Sequence, residues 1–297
     1  MKACRYRYGI ILLLLMLCAL PSFGNTVVED NDSIDTVTLE YCRSRNAEAT
    51  NYYNNGHYVS ATECWSELLE FDYPPAFTNL GIAYMNALGV ARNHEKAFTL
   101  FFRAADMGEP TALLHLGSMY RLGIHVAQND SLAFCYYSRS AQLGSAAAMN
   151  VLGRFYKEGR FVEADVVAAR KWLRQSALQD DAEGLYLYGV LLAKTNPDFK
   201  DEELGYAMNC IYRAAGKGHR DALVLIMNAA IRNNDYAQVY RCATALHSQG
   251  DNLGTKVLGD CYRYGYVVRR NNTRARELYR QSADGGNEEA RKILEKW

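Results

Sequence analysis

Between residues 73 and 290, apolar positions fall into paired helical stripes, and each pair of stripes returns after 36 residues. In the stretch 112–147, Leu113, Leu116 and Tyr120 form the inward stripe predicted for a first helix, and Leu132, Tyr136 and Ala141 that for a second. The strings Ala76-Leu80-Gly81-Tyr84, Ala112-Leu116-Gly117-Tyr120 and Ala148-Leu152-Gly153-Tyr156 keep one internal spacing. Val90-Asn93-Ala97, Val126-Asn129-Ala133 and Val162-Asp165-Ala169 follow them in the same step. Such periodicity predicts an all-α fold, a right-handed solenoid of antiparallel helix pairs, because one pair cannot bury its apolar face alone.

Each repeated residue type has a physical reading. Gly81, Gly117, Gly153, Gly189 and Gly259 sit where a side chain would hold two helices apart. Each costs about 1 kcal/mol of helix propensity, which closer packing must offset. Tyr84, Tyr120, Tyr156 and Tyr262 recur three residues after a glycine and read as interhelical packing. Asn93, Asn129 and Asp165 precede second helices and are suited to capping them. Residues 38–71 read as an opening helix pair closed by Pro74-Pro75. Residues 184–221 keep Tyr188-Gly189 but carry Thr195-Asn196-Pro197-Asp198 in the loop. In the next unit Met227 replaces the glycine and Asn233-Asn234-Asp235 shortens the turn, and the pattern resumes at Leu258-Gly259. A last helix from Glu288 is expected to cover the end of the core.

Residues 1–24 follow another logic. Lys2, Arg5 and Arg7 precede an apolar run, Ile10–Leu20, and Ser22-Phe23-Gly24 is a small-x-small site, so a signal peptide is expected. Residues 25–36 are a polar, acidic lead-in, and residues 37–297 the repeat domain. Cys18 invites a lipoprotein reading that Leu17 disfavours, so the periplasm or the exterior is the expected destination, with no stable membrane insertion after cleavage. Export makes disulfides chemically plausible. Cys42 with Cys64, and Cys242 with Cys261, are the candidate pairs, while Cys135 and Cys210 read as small buried hydrophobes.

Charge and chemistry narrow the function further. The chain is formally neutral and turns mildly acidic without its leader, so no nucleic-acid footprint is expected. Six scattered histidines, no HExxH and no compact glycine loop with a lysine leave no catalytic, cofactor or metal site to name, and an enzyme is not expected. Arg263, Arg269, Arg270, Arg274, Arg276 and Arg280 concentrate basic character near the C-terminus, either as a solvated face or as a dock for an acidic segment. Twenty-two tyrosines favour a binding surface, and one member of each of the pairs Tyr52-Tyr53 and Tyr136-Tyr137 is expected to reach it.

The run from Ala112 to Gly123 with Val126, Asn129, Ala133 and Ser140-Ala141 resembles the Sel1-like repeat, a relative of the tetratricopeptide repeat. The resemblance spans most of residues 73–290, and the opening pair is more similar to an ordinary tetratricopeptide repeat. It implies an adaptor or regulator that binds a protein or peptide. Together with the leader it makes an exported bacterial envelope scaffold the leading expectation. A periplasmic inhibitor or immunity protein against a toxin is the alternative, and a hydrolytic enzyme a distant third. Some secreted relatives carry cysteines in every repeat, an arrangement this chain lacks.

Overall fold

In the computed structural model, residues 35–195 and 201–297 are described; the expected leader, most of the lead-in and most of the Thr195–Asp198 loop lie outside them. The described residues are all-helical, with no strand among them. The chain divides into two compact units, Met1–Ser145 and Ala146–Trp297.

The first unit contains α1 (Thr36–Asn54), α2 (Tyr58–Glu67), a 3-10 turn (Leu68–Phe71), α3 (Pro74–Asn86), α4 (His94–Asp106), α5 (Pro110–Leu122) and α6 (Asp130–Gln142). The second contains α7 (Ala146–Glu158), α8 (Val166–Leu178), α9 (Ala182–Thr195), α10 (Asp201–Gly216), α11 (Arg220–Arg232), α12 (Tyr236–Ser248), α13 (Asn252–Tyr264), α14 (Asn272–Asp284) and α15 (Glu288–Glu295). Within each unit, successive helices form antiparallel pairs, and each packs chiefly on its neighbours in sequence. This serial stacking is that of a helical solenoid.

Local chemistry sets the helix ends. Asn93, Asn129, Asp165, Asp235 and Asn271 each accept a backbone N–H bond at the start of a second helix. Pro74 and Pro110 open first helices, where the missing N–H costs nothing. Gly108 and Gly144 close second helices at φ +84° and +94°.

A small residue facing a large one makes the seam of each pair. An added Cβ on Gly81 would stand 2.6 Å from the ring of Phe101, on Gly117 2.9 Å from Tyr137, on Gly153 2.5 Å from Leu173 and on Gly259 2.9 Å from Tyr279. Each of these glycines lies five residues before its helix ends, and each large partner eight residues after the capping residue. Ala49 and Trp65 fill the same two register places in the opening pair. In the pair α11–α12 the sizes are exchanged: Met227 takes the glycine place and Ala243 the large one, and both are fully buried.

The register corrects part of the expected stripe in α6. Leu113, Leu116 and Ala141 are buried, but Leu132 is 40% exposed and Tyr137, not Tyr136, fills the seam. Counting from the Asn129 cap puts Ala133, Tyr137 and Ser140 on the inward face, and Leu132 one step off it. Ser140 and Ser282, also fully buried, donate to the carbonyls of Pro110 and Asn252 at 2.7 and 2.6 Å, tying each second helix to the start of its partner.

The structure does not form the candidate disulfides. Cys42, Cys64, Cys242 and Cys261 are free, buried thiols, as is Cys210. Each fills a place in the apolar core of its unit. Burial pushes their pKa values up, that of Cys261 to about 11. Cys135 departs from the expected buried hydrophobe, being half-buried and disulfide-bonded.

Candidate functional site

The loops joining first to second helices share one backbone design. The N–H of Asn93, Asn129, Asp165 and Asn271 donates to the carbonyl of Tyr84, Tyr120, Tyr156 and Tyr262 respectively, at 2.9 to 3.1 Å. These recurring tyrosines are half-buried. Six residues after each seam glycine, Ala87, Gly123, Gly159 and Gly265 have positive φ, and two residues further on so do Gly89, His125, Phe161 and Val267. Glycine is required at the first of these latter places, because an added Cβ on Gly89 would run into the backbone of Tyr58. The others bring a histidine, a phenylalanine and a valine to the left-handed region, which costs of order 1–3 kcal/mol for such residues.

Aromatic side chains gather beside these loops in each unit. In the first, Tyr120 stacks on Tyr136 at 5.5 Å, Phe98 meets Tyr120 at 6.0 Å and His125 at 5.6 Å, and Phe102 lies beside Phe98, 52% exposed. Tyr136 is thus the surface member of its pair. Tyr52 and Tyr53 are both half-buried, against His57 and against Trp65 and Tyr58.

In the second unit, Tyr236 and Tyr266 stack at 3.9 Å with ring planes 12° apart, and Tyr264 joins them at 5.5 Å. A hydrogen bond to Tyr236 raises the pKa of Tyr266, and one to Tyr240 raises that of Tyr262. Arg263 lies over Tyr264 and over Trp297, at 5.4 and 4.8 Å. The Phe98–Phe102 and Tyr236–Tyr266 groups were not singled out from sequence. The usable signal was a bulky residue where one loop has Gly89, together with two tyrosines flanking Gly265.

Polar groups are engaged in structural contacts. His115 stacks on Phe101 at 4.8 Å, and burial lowers its pKa. His219 bonds Glu183 at 2.7 Å and stacks on Tyr186, and His247 bonds Thr255 at 2.9 Å. Among the described residues no group of His, Cys, Asp and Glu is placed to hold a metal ion. No helix among them is long and apolar enough to cross a membrane.

The Sel1 repeat family matches residues 75–109, 110–145, 146–181 and 252–287, each running from the start of a first helix to the turn after its second. The chain belongs to the Sel1-like repeat proteins. Sel1-like repeats are typically protein-interaction modules. The unmatched interval, 182–251, still folds as two helix pairs and includes the exchanged Met227–Ala243 seam. A Sel1 repeat protein from Oxalobacter formigenes is similar in fold, with a TM-score of 0.62 and 22% identity over 80% of this chain and 96% of that one. A protective antigen present in uropathogenic Escherichia coli strains is also similar, with a TM-score of 0.57 and 22% identity over 86% of this chain and 56% of that one. No curated protein matches the sequence.

Proposed function

We propose that this Sel1-like repeat protein is an exported scaffold of the bacterial envelope that binds another protein. The observation that carries the binding role is the display of aromatic side chains beside strained loops, notably Phe102 in the first unit and Tyr264 in the second. Tyrosine and phenylalanine held in place by neighbouring rings lose little entropy on contact with a partner. Support for export comes from the basic start, apolar run and small-x-small site of residues 1–24. A solved structure of similar fold is described as a protective antigen, which is compatible with an extracytoplasmic place.

Fractionation combined with photo-crosslinking in cells tests both parts. A photoreactive residue at Phe102 or Tyr264 is expected to form a discrete covalent adduct with a protein in the extracytoplasmic fraction. A chain retained in the cytoplasm, or one that gives no adduct from either position, would overturn the proposal.

A further inference from the structure

The aromatic group of the second unit stands in a locally basic setting. Arg269 and Arg270 lie three and four residues beyond Tyr266, are exposed, and form no ion pair with the described residues. The nearby acidic groups are already engaged: Asp260 accepts from Lys256 and Tyr279, Asp235 caps α12, and Glu277 pairs with Arg274. A formally neutral chain therefore carries a local positive excess here. Arginine guanidinium groups present a fork that matches carboxylates in two hydrogen bonds. Tyr264 and Val267, 56% and 61% exposed, add apolar surface to the same loop, and Tyr264 lies 5.5 Å from the ring of Tyr266 in the Tyr236–Tyr266 stack.

Backbone conformation is an independent indication. Val267 adopts φ +65°, although a β-branched residue is among the least tolerant of that region. Its side chain gains little burial in return. Phe161, at the same loop register, at least rests against Phe155 at 5.2 Å.

We infer that the α11–α12 and α13–α14 loops, through Tyr236, Tyr264, Tyr266, Val267, Arg269 and Arg270, form a docking site for an acidic protein segment with interspersed apolar residues. This deepens the scaffold reading and rests on it. The rings form the apolar floor and the two arginines hold carboxylates at its rim. With Val267 the one aliphatic residue displayed in this group, insertion into a lipid core is a poorer match than a peptide laid across the rings.

The test measures fluorescence anisotropy of a fluorescein-labelled peptide of alternating glutamate and leucine on the purified protein. Arg269→Glu/Arg270→Glu and, separately, Tyr264→Ala are each expected to weaken binding about tenfold, with rising salt weakening the wild type. Arg276→Glu/Arg280→Glu changes net charge equally on the exposed face of α14 and is expected to leave binding within about twofold. Unchanged circular dichroism establishes that the variants fold. Equal loss in both double variants, equal binding of a glutamine–leucine peptide, or binding only to phosphatidylglycerol vesicles would overturn the site. In the cellular crosslinking assay, an adduct from position 264 that survives Arg269→Glu/Arg270→Glu overturns this site and leaves the scaffold reading standing, whereas no adduct from either position of the otherwise wild-type chain overturns the scaffold reading itself.

Discussion

Gly259 and Gly205 are both helical glycines, yet replacing each with alanine is expected to move stability in opposite directions. Alanine has the higher helix propensity by about 1 kcal/mol, and that gain applies at both positions. At Gly205 nothing lies within 4 Å of an added Cβ, so the gain stands alone. At Gly259 the new atom would stand 2.9 Å from Cε1 and 3.0 Å from Cδ1 of Tyr279. That ring is fully buried and its hydroxyl donates to Asp260 at 2.7 Å, so it cannot slide away without losing the bond. Overpacking of this kind costs about 1–3 kcal/mol, and the lost hydrogen bond about 1 kcal/mol more, leaving a net loss of roughly 1–3 kcal/mol. For a unit of this size each 1 kcal/mol corresponds to about 2–4 °C in Tm. Thermal unfolding followed by far-ultraviolet circular dichroism should show Gly259→Ala melting several degrees below the wild type and Gly205→Ala a few degrees above it. A Gly259→Ala protein as stable as Gly205→Ala would refute the seam as the reason for the repeated glycine.

Met227→Gly removes the large half of the exchanged seam and should cost about 3–6 kcal/mol from the cavity and the glycine together. Adding Ala243→Tyr should recover part of that loss in urea unfolding, and no recovery would count against the register assignment. The buried thiols should react with Ellman's reagent at neutral pH only when the protein unfolds. Because the Cys261 pKa is raised from 9.0 to about 11, its contribution to stability is present below pH 9 and lost as pH rises toward 11, which a pH series of urea midpoints would detect. Val267→Gly should raise Tm by relieving a strained φ, a gain of about 1 kcal/mol after the added unfolded-state entropy of glycine. A fall in Tm would show that the valine is paid for by packing.

The helix pairs were legible because three constraints repeat together: a capping side chain, a helix-period stripe and a glycine at fixed register. What single positions do within that frame was less legible. Tyr136 and Tyr137 are chemically identical, and only the count from Asn129 distinguishes the ring in the seam from the ring on the surface. Cysteine pairing was harder still, since adjacency of two helices says nothing of which way each thiol points. In the structure Cys42, Cys64, Cys242 and Cys261 behave as small apolar side chains within the cores.

The surface groups were the least legible of all, for a physical reason. Periodicity reports what is buried, because burial imposes the same size and polarity on every repeat, whereas a binding residue is free to differ from its counterparts. The informative positions are therefore those where the repeat is broken without a gain in packing. Met227 breaks the seam but is matched by Ala243, so its departure is absorbed inside the core. At the register also held by Gly89, His125 and Phe161, Val267 is the β-branched residue least suited to positive φ, and its side chain remains mostly in solvent. By that criterion the α13–α14 loop, where Tyr266 stacks on Tyr236 of α12 and Arg269 and Arg270 stand exposed without an ion pair among the described residues, is where the proposed recognition by the second unit is concentrated.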